Sequence, residues 1–309
     1  MRCLNQLKLF VGMLVVCAAV SVDSTRAADG VWQSRDDGQR WGTALNWESG
    51  NIANGSGSTA FFDAVDIVDG TRVHVDSSRT LGHLVFGDPV TVSAAGWTLG
   101  NFGYAQNTLT LSGSGPSITV LALGAGKTAS IDLAIAGTVG IQKEGPGTLV
   151  FARPMTYSGQ TTLNAGALVF EGDHVMAANQ ALQVNQGSTL DLDVFKQYIN
   201  TLSSADVGEG NGGVIRGAGG LLTVYTPGTT SFGGFFEGVL NITRSGTRTL
   251  TLTSSNATAG AVSVIGGMST LRERNVGSDR GYGLTLLDGG AFPHISNLTV
   301  RNATLDLDN

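Results

Sequence analysis

The chain has 309 residues, of which 45 are Gly and only 14% are charged, against about 7% Gly and about 25% charged in soluble domains. That mixture argues against helical bundles and coiled coils. A formal net charge of −6 leaves no excess of positive charge to neutralise phosphates, so nucleic acid is not an expected partner. With 41% apolar residues, disorder is disfavoured too, and a large Gly-rich β protein remains.

The first 27 residues read as a secretory signal peptide: Arg2 and Lys8, an apolar run from Leu9 to Val20, and small residues for cleavage around Ala27 and Ala28. The run is shorter than the ~20 residues that span a bilayer, and no other stretch approaches that length. Cys17 follows apolar residues as a lipid-bearing cysteine does, but bulky Val16 stands where such sites want a small one. Both cysteines, Cys3 and Cys17, fall inside the signal, so disulfides and Cys-ligated metals are not expected in the exported chain.

From Val31 onward, short runs of period two recur and helical periodicity is nearly absent. Strands are expected at Thr71 to Val75, Thr80 to Phe86, Asn107 to Leu111, Ser117 to Leu123, Thr148 to Phe151, Thr161 to Phe170, Thr189 to Asp193, Leu221 to Tyr225, Thr249 to Thr253 and Leu298 to Leu307. Turn residues separate them, as in Gly87-Asp88-Pro89 and Gly145-Pro146-Gly147. A weak helical turn is the reading for Asp193 to Thr201.

The segment from Ile141 also repeats at Ile242. Without gaps, Lys143 falls on Arg244, Gly145 on Gly246, Leu149 on Leu250, Gly159 on Gly260 and Gly166 on Gly267. A unit of short strands with one apolar face buries that face by stacking on the next unit. Coils of roughly 20 to 25 residues would give about 12 coils after signal removal, in a body on the order of 60 Å long.

Ile141 to Phe151, with its Lys-x-Gly-x-Gly-Thr-Leu pattern, followed by Tyr157 to Phe170, resembles the autotransporter-associated β-strand repeat. The second copy is degenerate, with Arg248 in place of a Gly and Thr258 in place of the Tyr. Trp32 and the segment Trp41 to Trp47 are similar to the tryptophan-bearing entry of such proteins. The resemblance implies an all-β, right-handed parallel β-helix (β-solenoid), exported and displayed at a bacterial surface or released. It also implies a C-terminal outer-membrane barrel or sorting tail, absent from these residues, which suggests a fragment. The expected organisation is a signal at 1–27, a Trp-containing cap and first coils at 28–138, a first repeat unit at 139–239 and a second, degenerate unit at 240–309.

Among candidate chemical groups, Asp191 with Asp193, and Asp306 with Asp308, would lie two residues apart on one strand face. That is a spacing of about 6.5 to 7 Å, close to the carboxyl separation of inverting glycoside hydrolases. The plainer reading turns Leu190 and Leu192 inward and the carboxylates to water, with no Arg, Lys or His cluster beside either pair. Leu123 to Thr128 shares the Gly-x-Gly-Lys-Thr ending of a phosphate loop, but Leu121 occupies the position of a required Gly and a strand turn is preferred. His74, His83, His174 and His294 show no metal-binding spacing, although His74 and His83 could meet in neighbouring coils.

Trp32, Trp41 and Trp47 are candidates for stacking on a glycan, with capping of the open solenoid end as the favoured alternative; Trp97 belongs to the same cluster in sequence. The leading functional expectation is a non-enzymatic, passenger-type surface protein with a structural or adhesive role. It needs no cofactor or metal, and its partner is an unidentified surface ligand such as a glycan or extracellular matrix. A β-helix polysaccharide lyase or glycoside hydrolase using Asp191 and Asp193, and a carbohydrate-binding module centred on the tryptophans, are the alternatives.

Overall fold

The computed structural model describes residues 27–254 apart from 69, 93–94, 104–105, 179 and 246–249, and beyond them the backbone of Val262–Ile265, Thr270–Glu273, Leu298–Arg301 and Thr304–Leu305. The expected signal segment, His294, Asp306 and Asp308 lie outside the described residues. Strands pair in parallel throughout, and the described antiparallel contacts are isolated bridges such as Trp32 with Trp47. The chain is a β-solenoid, as its internal repeat and the family resemblance imply.

One face is an eight-stranded sheet that starts at Gly30–Val31 and passes through Thr59–Phe62, His83–Phe86, Ser117–Val120, Ile141–Glu144, Thr161–Leu163 and Ala181–Val184 to Thr201–Ser203. A four-stranded sheet beginning at Thr230–Phe232 and Leu250–Leu252 prolongs it, with the Ser204 amide donating to the Ser231 carbonyl across the join. A second face includes Thr71–His74, Trp97–Gly100, Thr128–Asp132, Thr148–Phe151, Gly166–Phe170 and Ser188–Asp191. A third begins with Arg79–Leu81, Thr108–Leu111 and Ala134–Ala136. Coil length is not uniform. Ile141 pairs with Thr161 and Ala181 with Thr201, 20 residues apart in each case, whereas His83 meets Ser117, 34 residues on.

Alternation builds the core. On the first face, Ala60, Leu84, Ile118, Lys143, Leu163 and Val184 stand in one inward column, each register partner of the next. On the second, Val73, Leu99, Ile131, Phe151 and Phe170 do the same. Each fully buried aliphatic or aromatic side chain contributes about 1.5–3 kcal/mol. Stacked in columns, such residues cover one another from coil to coil, which a single coil cannot do.

Three expected elements differ. Thr80 to Phe86 divides at Gly82, whose amide donates to the Ser58 carbonyl, and Thr161 to Phe170 divides before Gly166, a corner at φ 67°. The expected helical turn at Asp193 to Thr201 is instead the strand Lys196–Ile199, paired with Leu221 to Val224. There Gln197 and Ile199 are buried while Lys196 and Tyr198 face out, an alternation that overrides the weak helical pattern. Two short 3-10 turns, Ala44–Asn46 and Glu48–Gly50, occupy the tryptophan segment.

Candidate functional site

The residues that define the repeat are committed to the scaffold. Lys143 points into the core column and is 2% exposed; its ammonium donates to the carbonyls of Glu144, Gly145 and Ala165 at 2.9, 2.8 and 3.0 Å. These carbonyls sit at the corner between the first and second faces in two adjoining coils, so one side chain ties both turns. Burial pushes its pKa down to about 8, with Glu144 acting weakly in the opposite sense. Tyr157 is buried, its hydroxyl 2.5 Å from that of Thr161, and its backbone carbonyl accepts from the Gln180 amide.

In the second copy Arg244 is likewise buried, bonded to the Thr226 hydroxyl, and burial lowers its pKa to about 10. The two copies do not begin on the same face. Ile141 lies in the eight-stranded sheet, whereas Ile242 pairs with Leu222 in the sheet that carries Lys196–Ile199. The repeated element is therefore the strand–corner–strand unit rather than a whole coil. Sequence reasoning aligned Lys143 with Arg244 without recognising their burial, although Ile141 at i−2 is the alternation signal that turns Lys143 inward.

The tryptophans form a plug. Trp32, Trp41 and Trp47 are 0% exposed and Trp97 1%. Trp32 and Trp47 meet edge to face at 5.1 Å, Trp41 and Trp47 lie 5.0 Å apart, and Phe62 touches all four indoles at 5.4–5.7 Å. Each indole N–H donates to a carbonyl, those of Ser34, Ala53, Trp41 and Gly87 respectively. No ring face is open in this arrangement, so glycan stacking on Trp32, Trp41 or Trp47 requires the cap to come apart.

The Asp191–Asp193 pair is not presented as sequence spacing alone suggested. The strand ends at Asp191, and Asp193 lies in the following turn at φ 45°, donating its backbone N–H to an Asp191 carboxylate oxygen at 3.0 Å. The other oxygen of Asp191 accepts from Arg216 Nε at 2.8 Å. One basic group that sequence spacing did not show does stand beside the pair: Asp191 and Arg216 are register partners on adjoining coils, close in space though 25 residues apart in sequence. Glu237 follows Arg216 in the same column, and a shallow depression of about 310 Å³ adjoins these groups. Arg153 with Asp132 and Arg72 with Asp37 also link successive coils. His74 packs on Phe102 at 4.7 Å, while His83 Nδ1 lies 2.8 Å from the Ser117 hydroxyl on a different face, so these histidines do not converge. The segment Leu123 to Thr128 is a turn leading into the strand Thr128–Asp132.

What the coils offer outward is a polar sheet surface. On the first face the Asn164 amide donates to Glu144 at 2.5 Å, Asn185 to Asn164 at 2.7 Å and Gln160 to Gln183 at 2.5 Å. This ladder of amides runs over successive coils, held flat by the parallel backbone beneath it.

Comparison with known proteins agrees with this geometry. Residues 141–170 and 242–271 match the passenger-associated-transport-repeat, so the chain carries two copies of an autotransporter passenger repeat. A stretch of 184 residues is 31% identical to a protein named adhesin BmaC autotransporter, from Brucella suis biovar 1 (strain 1330). The match covers 55% of this chain and 5% of that relative, so the chain spans a small part of the relative's length. No solved structure matches.

Proposed function

We propose that this chain, bearer of two passenger repeats on a parallel β-solenoid, is exported to a bacterial outer surface or beyond it, where it acts as a rigid, non-enzymatic adhesive rod. The observation that carries the reading is the division of labour within the repeat: Lys143, Tyr157 and Gly166 are used up in holding corners and core, while polar side chains such as Gln142, Asn164 and Gln183 stand on the outside. Such a body presents a long, flat polar surface at low conformational cost, which suits contact with an extended partner. The name of the Brucella suis relative supports adhesion as the role of that surface.

Cell fractionation, protease shaving of intact source cells and an intact mass test the location. The chain is expected in the outer-surface or released fraction, cleaved by added protease or recovered from the medium. Adhesion is tested by comparing matched cells with and without the chain on matrix- and glycan-coated surfaces. A cytoplasmic location, or no difference in adhesion on any surface, would overturn the reading.

A further inference from the structure

With the tryptophans buried, the groove beside Phe102 becomes the strongest place for a ligand. Between Trp97–Gly100 and Thr108–Leu111, Phe102 stands at φ 40° and Gly103 at φ 91°. A bulky residue in left-handed backbone is strained and persists where its surroundings hold it. Here they do. Gly100 leaves room for the ring, since a Cβ there would lie 2.9 Å from Phe102 Cζ; the His74 ring is 4.7 Å away, and the Arg72 guanidinium 5.7 Å from the ring centroid. The Asn101 amide donates to the Asn107 carbonyl at 3.1 Å and the Asn107 amide to the Val75 carbonyl at 2.8 Å, tying these two residues to each other and to the preceding coil.

Asp132, Arg153 and Thr156 line the same space as Asn101, Phe102 and Asn107, a volume of about 570 Å³. Small-ligand sites occupy roughly 300–1,000 Å³. Arg153 Nε donates to Asp132 Oδ1 at 2.5 Å, leaving the terminal guanidinium nitrogens without a bond among the described residues. Asn101 Oδ1 is buried and accepts no hydrogen bond from the described residues, an unused acceptor at the wall.

We propose that this groove binds a neutral saccharide of one or two pyranose rings. The partly exposed Phe102 ring, set among amides, a hydroxyl and a carboxylate–guanidinium pair, matches the alternating apolar and hydroxyl surfaces of a sugar. Asp132 and Arg153 cancel in charge, and the net charge of −6 on the chain opposes a polyanion, so an uncharged sugar is preferred over an acidic one. The proposal rests on the adhesive reading for its biological sense and names a ligand class that reading leaves open.

Saturation-transfer NMR on the full exported chain tests it, using methyl glycosides of glucose, galactose, mannose and N-acetylglucosamine, with glucuronate and sialic acid as acidic counterparts. Transfer to at least one neutral glycoside is expected, with affinity at least tenfold weaker in Phe102→Ala and in Arg153→Gln. Arg153→Gln, at an exposed side chain, keeps the test open if Phe102→Ala does not fold. Transfer to no neutral glycoside, transfer to the acidic sugars alone, or undiminished binding in the folded variants overturns the proposal. Cell adhesion separates the two readings. Wild-type adhesion without any glycoside binding sinks the groove and leaves the adhesive role, whereas glycoside binding without wild-type adhesion sinks the adhesive role and leaves the groove.

Discussion

Lys143 shows how one buried charge is held by backbone carbonyls rather than by an ion pair. Its three carbonyl acceptors offset the loss of hydration, and removing the ammonium leaves them without their donor. Lys143→Met is therefore expected to destabilise the protein by about 2–4 kcal/mol despite restoring an apolar column, read as a lower denaturant midpoint. The titration has a definite sign. The folded pKa, about 8, lies below the ordinary 10.5, so between those values the unfolded chain holds a proton that the folded chain has released. The contribution of this group to stability thus rises with pH across that window and is least favourable below about 8. The Cε shift of Lys143 should titrate near 8 in the folded protein; a midpoint at 10 or above would contradict the burial argument. Asp191→Asn, by contrast, removes a half-exposed ion pair with Arg216, and a cost under about 1 kcal/mol is expected by chemical denaturation.

At the scale of the element, the corner rather than the strand is the demanding part. Gly159 and Gly140 face each other across adjoining coils so closely that a Cβ on Gly159 would lie 1.9 Å from the Gly140 nitrogen. Backbone cannot yield at that distance without parting the strands Ile141–Glu144 and Thr161–Leu163 that follow. Gly159→Ala is expected to cost more than about 2 kcal/mol, whereas Gly228→Ala, with nothing within 4 Å, should change stability by less than about 0.5 kcal/mol. Paired melting curves check this; equal effects would mean that glycines serve these corners through flexibility alone. Gly159 and Gly166 lie within the matched repeat, and Gly228 does not.

In the whole molecule each coil touches chiefly the coils before and after it, so stability is shared between neighbours rather than pooled in one central core. The aromatic plug closes the start of that stack, with Phe62 joining Trp32, Trp41 and Trp47 to Phe86 and Trp97 of the next layers. Trp32→Ala removes a fully buried indole and should cost about 3–5 kcal/mol. Hydrogen exchange is expected to localise the loss: faster exchange in Thr59–Phe62 and His83–Phe86, with Thr161–Leu163 and Gly166–Phe170 changed little. Uniform acceleration along the chain would instead show a single cooperative unit.

The all-β class, many of the strands and the repeat were legible in the sequence because each depends on local pattern: alternation every two residues, glycine at corners, and Lys143 aligned with Arg244. Partnership across coils was not. The tryptophans are sealed from solvent because Phe62 and the 3-10 turns bring them together, and Asp191 finds Arg216 because the register of the intervening coil places them side by side. Coil length decides that register, and it varies with every loop let out between strands, as from His83 to Ser117 and from Ile141 to Thr161. The sequence by itself determined that the chain must stack its strands into a solenoid; the tertiary structure alone decided which side chains become neighbours across coils, since that depends on the sum of all loop lengths in a turn and not on any local signal.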